Sequence, residues 1–520
     1  MLLMALLVCL RGDVASAPWT SPVVVCLALA TVPWLQYIGG QVVLAGTAWL
    51  PSLYMLGLAL ALRIGTAWET AAPGEPTNTL FGSIVFAALV STGLALSQWL
   101  SLDLDYWVIE TGKGRPYANL GQPNQLGTFL AWGLVGLTWL WSKRHIGAGT
   151  WVFASMFVLF GIALTSSRTP WLILVALIAL VAHWRQHFPR KPLVWGGGLL
   201  VIWFAISHLA IPEFSAALQV AADAGTDPEQ VKARILSELR PTIWAAYVDA
   251  ALRSPWWGYG WGQASIGQMS ALLDHPDLQF LSSHTHNQFL DLVIWMGIPL
   301  GLAVSAFLVW RFWRLFVSTR TPDQALLFCL LIAVAIHAML ELPLHYAYML
   351  LPAGFAWGIL EAHQPGWQSR SIGKRTHIGV WAASVLLTIL LAKDYVNVQN
   401  SYQWLRFEWA RLATEKTAPV PNVLMLTQWS EFVKLSHRDL GTPAAPDEFK
   451  RIENLALLFP SPGFLMQLAA LQALNDQPEE AQKTIARACQ LNGKTQCRAI
   501  RFAWSKEALK QPALARVQLQ

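Results

Sequence analysis

Residues 281–300, LSSHTHNQFLDLVIWMGIPL, carry two histidines in a polar run that leads straight into an apolar segment. Ser282, Ser283, His284, Thr285, His286 and Asn287 form the polar part, and Phe289 to Leu300 read as membrane. A histidine at such a boundary has an apolar wall on one side and water on the other, which suits a group that exchanges protons with a reactant. His286 is the candidate general base, or a donor to an anionic group, with His284 as its support. On an extended backbone the two rings share a face; on a helix they do not. With His275 and Asp274 they could ligate a metal, but an H-x-H spacing is a weak signal and no third ligand sits at a diagnostic offset. No metal is therefore expected.

The elements that must position these groups are membrane helices. Hydrophobic residues make up 55% of the 520 and charged residues 13%, against about 25% charged in an ordinary soluble protein. The mean hydropathy is +0.42. The 28 tryptophans fall largely near the ends of apolar runs, as in interfacial aromatic belts. A net charge of +6 spread over short loops is a topology signal, and nucleic acid is not an expected partner. Apolar segments of spanning length fall at about 20–36, 45–62, 80–99, 126–142, 150–165, 170–184, 193–211, 285–309, 324–343, 346–361 and 377–393. The expected fold is all-α: a polytopic membrane protein with about 11 transmembrane helices, a large outward loop at 212–284 and a soluble helical domain at the C-terminus. The transmembrane domain is expected over 1–394 and the helical domain over 395–520.

Basic residues set the orientation. Lys143 and Arg144, then Arg185, Arg190 and Lys191, then Arg311, Arg314 and Arg320, then Arg370, Lys374 and Arg375 fall in alternate loops, which should be cytoplasmic. The other loops then face outward, and the chain beyond 394 ends outside. Those outward loops hold the unusual polar residues: Arg115, Asn119, Gln122, Asn124 and Gln125 in 100–125, Arg168 in SSRTP, Arg240 in the long loop, and Glu341, His345, Tyr346 and Tyr348 in ELPLHYAY. They should gather on one face of the membrane.

Within the long loop, 227–251 has helical spacing with Asp227-Pro228 as its start. SPWWGYGWG at 254–262 should be a compact irregular loop, either a lid or a wedge against the membrane surface. Near the C-terminus, 464–493 reads as a helix, a turn at Asn475–Pro478 and a second helix, one tetratricopeptide-type hairpin. Cys489 and Cys497 pair there only if that end lies in an oxidising compartment. The N-terminal MLLMALLVCLRGDVASA lacks a basic stretch before its apolar run and reads as an incomplete first membrane segment.

Five stretches, RPYANLGQPNQLGTFL at 115–130, SSRTPW at 166–171, 240–262, HTHNQFLDLVIWMGIPLG at 284–301 and ELPLHYAYMLLPAGFAWGI at 341–359, together resemble the bacterial protein O-oligosaccharyltransferases of the O-antigen ligase/polymerase superfamily. NLGQPNQ resembles the protein-glycosylating branch. The resemblance implies transfer of a glycan from a polyprenyl-pyrophosphate carrier to a Ser or Thr hydroxyl of a protein, often a pilin, at the periplasmic face of the bacterial inner membrane. It implies neither a nucleotide sugar nor a metal nor another cofactor. His286 matches the family's His-Asn motif.

The residue types suit that chemistry. Arginine binds phosphate bidentately and stays charged at low dielectric, so Arg168 and Arg240, and more weakly Arg115, are the pyrophosphate candidates. Gln122, Gln125 and Asn287 can bond sugar or phosphate oxygens without adding charge, while Asn124 has the character of a helix N-cap. Tyr346 or Tyr348 matches a family tyrosine, and Glu341 could orient a histidine or pair with an arginine. An O-antigen ligase or polymerase, with a sugar acceptor, is the nearest alternative. A transporter would place polar groups near the midplane, often within internal repeats, and neither is apparent here.

Overall fold

The computed structural model describes residues 19–102, 105–109, 115–217, 240–365, 374–412 and 417–519. The N-terminal apolar run, the Asp227-Pro228 start and Arg370 lie outside the described residues. Among these residues the fold is all-α, without a β-strand. The chain runs through α1 (Ser21–Ile38), α2 (Ala45–Ala71), α3 (Glu75–Trp99), α4 (Pro123–Ser142), α5 (Ala148–Leu164), α6 (Thr169–His183), α7 (Arg190–Ala217), α8 (Arg240–Arg253), α9 (Ala264–Ala271) and α10 (Gln288–Met296). It continues through α11 (Ile298–Ser318), α12 (Pro322–Ala338), α13 (Ala347–Glu361), α14 (Lys374–Trp409), α15 (Thr427–Ser436), α16 (Pro446–Leu458), α17 (Pro462–Leu474), α18 (Pro478–Ala508) and α19 (Pro512–Ala515).

Six stretches are long and apolar enough to cross a bilayer: α1, α2, α3, Leu193–Ser215 of α7, α11, and Ile378–Trp409 of α14. Helices α5, α6 and α12 are apolar but shorter. The chain is a multi-pass membrane protein. Two details depart from the apolar pattern read in sequence. The run at 285–309 is two helices, because Gly297 sits at φ 82° between α10 and α11, a backbone state that costs glycine nothing. At nine residues, α10 is too short to span. The composition shift at 394 falls inside α14, which continues to Trp409.

The residues divide into two compact units. The first comprises 1–25, 57–238 and 309–378; the second comprises 26–56, 239–308 and 379–520. The core of the first gathers Val85 and Ala88 of α3, Leu126 and Leu130 of α4, and Val158 and Ile162 of α5. Small residues let the helices close: a Cβ on Gly358 of α13 would lie 2.1 Å from the Leu62 carbonyl oxygen of α2. Arg311, counted in sequence among the loop cations, is buried here and paired with Glu361, whose other oxygen accepts from Trp357 Nε1 at 2.8 Å. Lys143 at the end of α4 likewise meets Asp323 in the first turn of α12 at 2.7 Å.

In the second unit, α16 and α17 pack Leu455 against Leu468 and Leu471. Helices α17 and α18 form the expected hairpin, with Pro478 in the first turn of α18. Within α18 the backbone breaks at Gly493, φ 69°, and a Cys489–Cys497 disulfide closes over that break. The 254–262 loop is bonded through its backbone: Tyr259 N–H donates to Ile294 O at 2.8 Å, Gly260 N–H to Trp295 O at 3.2 Å, and Ile298 N–H to Pro255 O at 2.7 Å. These bonds strap it to the break at Gly297, while Trp256 and Trp257 stay exposed at 71% and 73%.

Candidate active site

In the second unit the histidine loop is held from three sides. Thr285 stands between the two histidines, and its carbonyl accepts from Trp244 Nε1 of α8 at 2.9 Å. Its backbone N–H donates to Asp291 Oδ1 of α10 at 3.0 Å. One turn further along α8, Tyr247 Oη donates to the Ser282 carbonyl. Gln268 of α9 takes both a donor and an acceptor from the same segment: its Oε1 accepts from Ser282 N–H at 2.7 Å and its Nε2 donates to Phe280 O at 2.7 Å. Asn287 caps α10, its Oδ1 accepting from the N–H groups of Phe289 and Leu290 at 3.0 and 3.2 Å. That occupies the side-chain oxygen with the helix cap.

The loop is neither the extended strand nor the helix weighed in sequence. His286 adopts φ 55°, a left-handed state that costs a non-glycine residue free energy and persists only where the surroundings impose it. The turn brings the His284 and His286 rings edge to face at 5.7 Å between centroids, so the two imidazoles do adjoin. Arg240 opens α8 one turn before Trp244, and residues at that spacing share a helix face. The second unit thus carries a cation and a pair of imidazoles on one frame. Tyr247 is fully buried, which raises its phenol well above the ordinary value and keeps it a donor. Burial also raises the Asp291 carboxyl to about 7, against the pull of the Thr285 bonds and of His286.

In the first unit the other candidates cluster around the N-terminal ends of α4 and α6. A Cβ on Gly127, in the second turn of α4, would lie 2.3 Å from Cγ of Pro170 in the first turn of α6, so these helix starts are in contact. Arg168 is the N-cap residue of α6 and is exposed. Arg115 is spent on the same turn: its Nε donates to Thr165 O at 2.7 Å and its Nη2 to Ser167 Oγ at 2.5 Å. It therefore braces the backbone beside Arg168, with Ser166 held at φ 47°. The N-cap position of α4 belongs to Gln122, which makes no side-chain cap bond. Asn124, expected as the cap, lies inside the helix and donates to Glu341 Oε1 at 3.3 Å. Glu341 thus meets the amide of Asn124.

Gln125 is fully buried, and neither atom of its amide has a hydrogen-bond partner among the described residues. Tyr348 Oη donates to Leu120 O at 2.8 Å, which ties the 343–348 corner to the loop before α4. Tyr346 is exposed, 5.4 Å from the Tyr348 ring. The two tyrosines therefore differ in role, one a brace and one a surface ring. His345 lies in the intervening 3₁₀ turn, and burial pushes its imidazole down to about 4, so it carries no charge at neutral pH. No group of three or more His, Cys, Asp or Glu side chains fit to hold a metal occurs among the described residues.

The chain matches three known families in different stretches: "Protein glycosylation ligase" over residues 116–141, "O-Antigen ligase" over 153–305, and "Virulence factor membrane-bound polymerase, C-terminal" over 325–506. A general O-oligosaccharyltransferase of Acinetobacter baylyi is 32% identical over 479 residues, covering 90% of this chain and 83% of that one. The chain belongs to the O-oligosaccharyltransferase family. It is a glycosyltransferase of that type. A second relative from the same organism, a ComP-specific O-oligosaccharyltransferase, is 25% identical over 279 residues, covering 53% of this chain and 50% of that one. The glycosylation-ligase match ends inside α4 and takes in Gln122 and Gln125; the O-antigen-ligase match takes in Arg168, Arg240 and both loop histidines.

The residues that sequence reasoning missed are the braces: Tyr247, Gln268 and Asp291. Asp291 alone had a signal, since a single acid in an otherwise apolar run is costly and marks either a partner or a function. Tyr247 and Gln268 had none, because nothing local distinguishes a tyrosine or glutamine that reaches a segment many residues away.

Proposed function

We propose that this O-oligosaccharyltransferase takes its glycan from a polyprenyl-pyrophosphate carrier and transfers it to a Ser or Thr hydroxyl of a periplasmic protein, a pilin among them, at the outer face of the bacterial inner membrane. The acceptor oxygen attacks the anomeric carbon, the bond from that carbon to the phosphate oxygen breaks, and the lipid pyrophosphate leaves. His286 accepts the hydroxyl proton, help worth about 10²–10⁴ in rate, with His284 beside it. Arg240 and Arg168 stabilise the negative charge on the pyrophosphate. Arg115 acts through the turn that carries Arg168. Gln122, Gln125, Asn287 and Tyr346 are the proposed sugar and phosphate contacts, with Glu341 and Tyr348 positioning the segments that bear them.

The observation that carries this reading is the histidine loop itself. A left-handed His286, in a loop that four separate side chains hold at Ser282 and Thr285, is a strained backbone of the kind found at functional sites. The disulfide at Cys489–Cys497 supports an oxidising surrounding for the C-terminal helices, in keeping with the outward topology read from the basic loops.

The test is reconstitution in cells that make a polyprenyl-pyrophosphate glycan and lack their own ligase. The protein is supplied with a pilin, or with lipid A–core as the only acceptor, and the products are weighed by mass spectrometry. Glycan on the pilin, lost with His286→Ala in a protein that still inserts, is the expected result. Glycan on lipid A–core alone, or longer lipid-linked chains, would assign a sugar acceptor instead. That second reading has support in the O-antigen-ligase and membrane-bound-polymerase matches.

A further inference from the structure

From the exposed surface of α8 we infer that this helix and the 254–257 turn after it lie in the membrane–water interface, as a platform that holds the histidine loop at the depth of the lipid headgroups.

Helix α8 has 14 residues, about 21 Å by helix rise, and is too short to span. Its inner face is Ile243, Ala246, Tyr247 and Ala250, all fully buried. A helix in an aqueous loop turns polar residues outward. The outer face of α8 is instead Pro241, Ala245, Val248 and Leu252, at the i, i+4, i+7, i+11 spacing of one helix stripe. Val248 is 50% and Leu252 66% exposed. The strip continues into the turn after the helix, where Trp256 and Trp257 are exposed. Exposed apolar surface gathered in this way marks contact with a membrane or a protein.

Two observations choose the bilayer. The first is that the turn is fastened to the start of a membrane span. Helix α11 has 21 residues, about 31 Å by helix rise, which matches a hydrocarbon core of ~30 Å. Ile298, its first residue, therefore lies at the boundary of that core. Ile298 N–H donates to Pro255 O at 2.7 Å, and a Cβ on Gly297 would lie 2.4 Å from Trp256 O and 2.7 Å from Trp257 N. The Trp256–Trp257 peptide thus sits at the same depth, where a ring with an apolar body and one N–H donor is favoured. Leu300 and Leu302, exposed on the first turns of α11, begin the lipid-facing surface there. The second observation is that the charges of this region lie to one side of the strip and are paired. Arg253 meets Asp249 at 2.7 Å and Asp274 at 2.6 Å, and His275 meets Asp249 at 3.2 Å. An amphipathic helix with such a flank rests its apolar face in lipid and turns its ion pairs to water.

The same helix carries Trp244 and Tyr247, which hold the histidine loop, and opens at Arg240. Docking of α8 therefore sets the depth of the candidate base and of a candidate phosphate contact together. That layer is where the pyrophosphate of a polyprenyl carrier resides, a consequence that alone rests on the donor proposed above. Of the two roles open to the 254–262 loop, lid or wedge, this is the wedge.

The experiment places a nitroxide on single cysteines of the full-length protein carrying Cys9→Ala, Cys26→Ala and Cys329→Ala, in nanodiscs of phosphatidylcholine. Val248→Cys, Leu252→Cys and Trp256→Cys report the strip, Leu302→Cys the lipid-facing surface, and Lys506→Cys, exposed on α18, water. Collision rates are read with oxygen, which concentrates in lipid, and with a nickel chelate, which stays in water. The oxygen-to-nickel ratio at the three strip sites should rise well above that at Lys506→Cys and approach that at Leu302→Cys. A ratio equal to that at Lys506→Cys would put the strip in water and overturn the inference. Collisions suppressed with both reagents would also overturn it, since the strip would then be covered by a second copy of this chain or by another protein segment. Wild-type protein supplies a second measurement free of label and substitution. A phospholipid bearing a diazirine beside its glycerol backbone is activated in the same nanodiscs, and adducts are mapped by mass spectrometry. Adducts on 241–257 together with the first turns of α11 are the expected result; adducts on α11 without 241–257 would overturn the inference. Neither measurement needs a donor or an acceptor, so failure here is distinct from failure of the proposed transfer.

Discussion

Replacing Gln268 with methionine isolates the contribution of loop order to transfer. The substitution keeps an unbranched side chain of similar length in a fully buried site and removes both hydrogen bonds to the loop, those to Ser282 N–H and Phe280 O. Each stripped backbone group, if it stayed buried, would cost about 1–3 kcal/mol, or about 2–6 kcal/mol for the pair. The loop has an outlet, since Ser283 between the two histidine-side anchors is exposed, so the groups can turn to water and the cost appears as lost order. Taking the low end, about 2–3 kcal/mol, amide exchange across 280–286 should accelerate by about 30- to 150-fold, at 1.4 kcal/mol per factor of ten.

Transfer should respond through the base. General-base help is worth about 10²–10⁴, and a catalytic group displaced by about 1 Å forfeits much of such an effect, so kcat should fall at least tenfold. Hydrogen exchange by mass spectrometry and initial rates on the same preparation measure the two effects together. Faster exchange with undiminished kcat would show that chemistry does not depend on the order of this loop. Unchanged exchange would show that the two bonds do not hold it.

Arg115→Ala should raise the apparent KM for the lipid-linked donor about tenfold with little loss of stability, because its bonds to Thr165 O and Ser167 Oγ set the turn bearing Arg168; donor titrations in detergent measure this. Gly358→Ala drives a methyl into the Leu62 carbonyl and should cost about 1–3 kcal/mol by overpacking, whereas Gly82→Ala, which meets nothing within 4 Å, should be neutral or stabilising by under about 1 kcal/mol; thermal denaturation in detergent compares them. The Arg253 hydrogen bond, then His275, holds the Asp249 carboxyl below its ordinary value. The stabilisation is therefore present above the unfolded carboxylate range, near pH 4, and lost as pH falls through the lowered folded value; protease sensitivity of 249–278 should rise only in that acid window, and Asp249→Asn should remove the dependence. Reducing the Cys489–Cys497 disulfide, which spans eight residues, should lower the stability of the C-terminal helices by about 2–3 kcal/mol in the chain-entropy account, read as earlier unfolding in the presence of dithiothreitol.

What was legible in the sequence followed from periodicity and punctuation. Apolar runs gave helices, and the turn before Pro478, which opens α18, gave the hairpin. What was not legible was an event of one residue inside a run. The glycine of WMGIPL breaks the helix, yet hydropathy is indifferent to a lone glycine. Arg311 read as a loop cation because sequence does not reveal that Glu361, fifty residues on, lies against it. The polar site residues were recognised by type and by motif, and their partners were not. Asn124 read as a cap on propensity, and Asn287, in a motif read for substrate, proved to be one.

The missed partners share a chemistry. Gln36 donates to Trp295 O at 2.7 Å and accepts from Trp261 N–H at 2.9 Å, joining the 254–262 loop to the end of α10. Gln98 donates to Ile109 O and Ala118 O at 2.8 and 2.7 Å and accepts from the N–H groups of Tyr117 and Ala118 at 3.0 and 2.8 Å, closing the loop before α4. Gln268 closes the segment before the histidines, and Gln490 of α18 reaches the carbonyls of Leu272, His275 and Leu278 at 2.8, 2.9 and 3.1 Å. Irregular backbone near a membrane must still satisfy its N–H and C=O groups. A glutamine does this with a donor and an acceptor on a flexible arm and without burying a charge. Its composition signal is nil, since a glutamine in a helix is as ordinary as any. The loops that bear the candidate chemistry are therefore ordered largely by residues that no local pattern distinguishes, and charged braces stand beside them: Asp291 at Thr285 N–H, Arg115 at Thr165 O, and Asp394 at the N–H groups of Leu424, Met425 and Leu426.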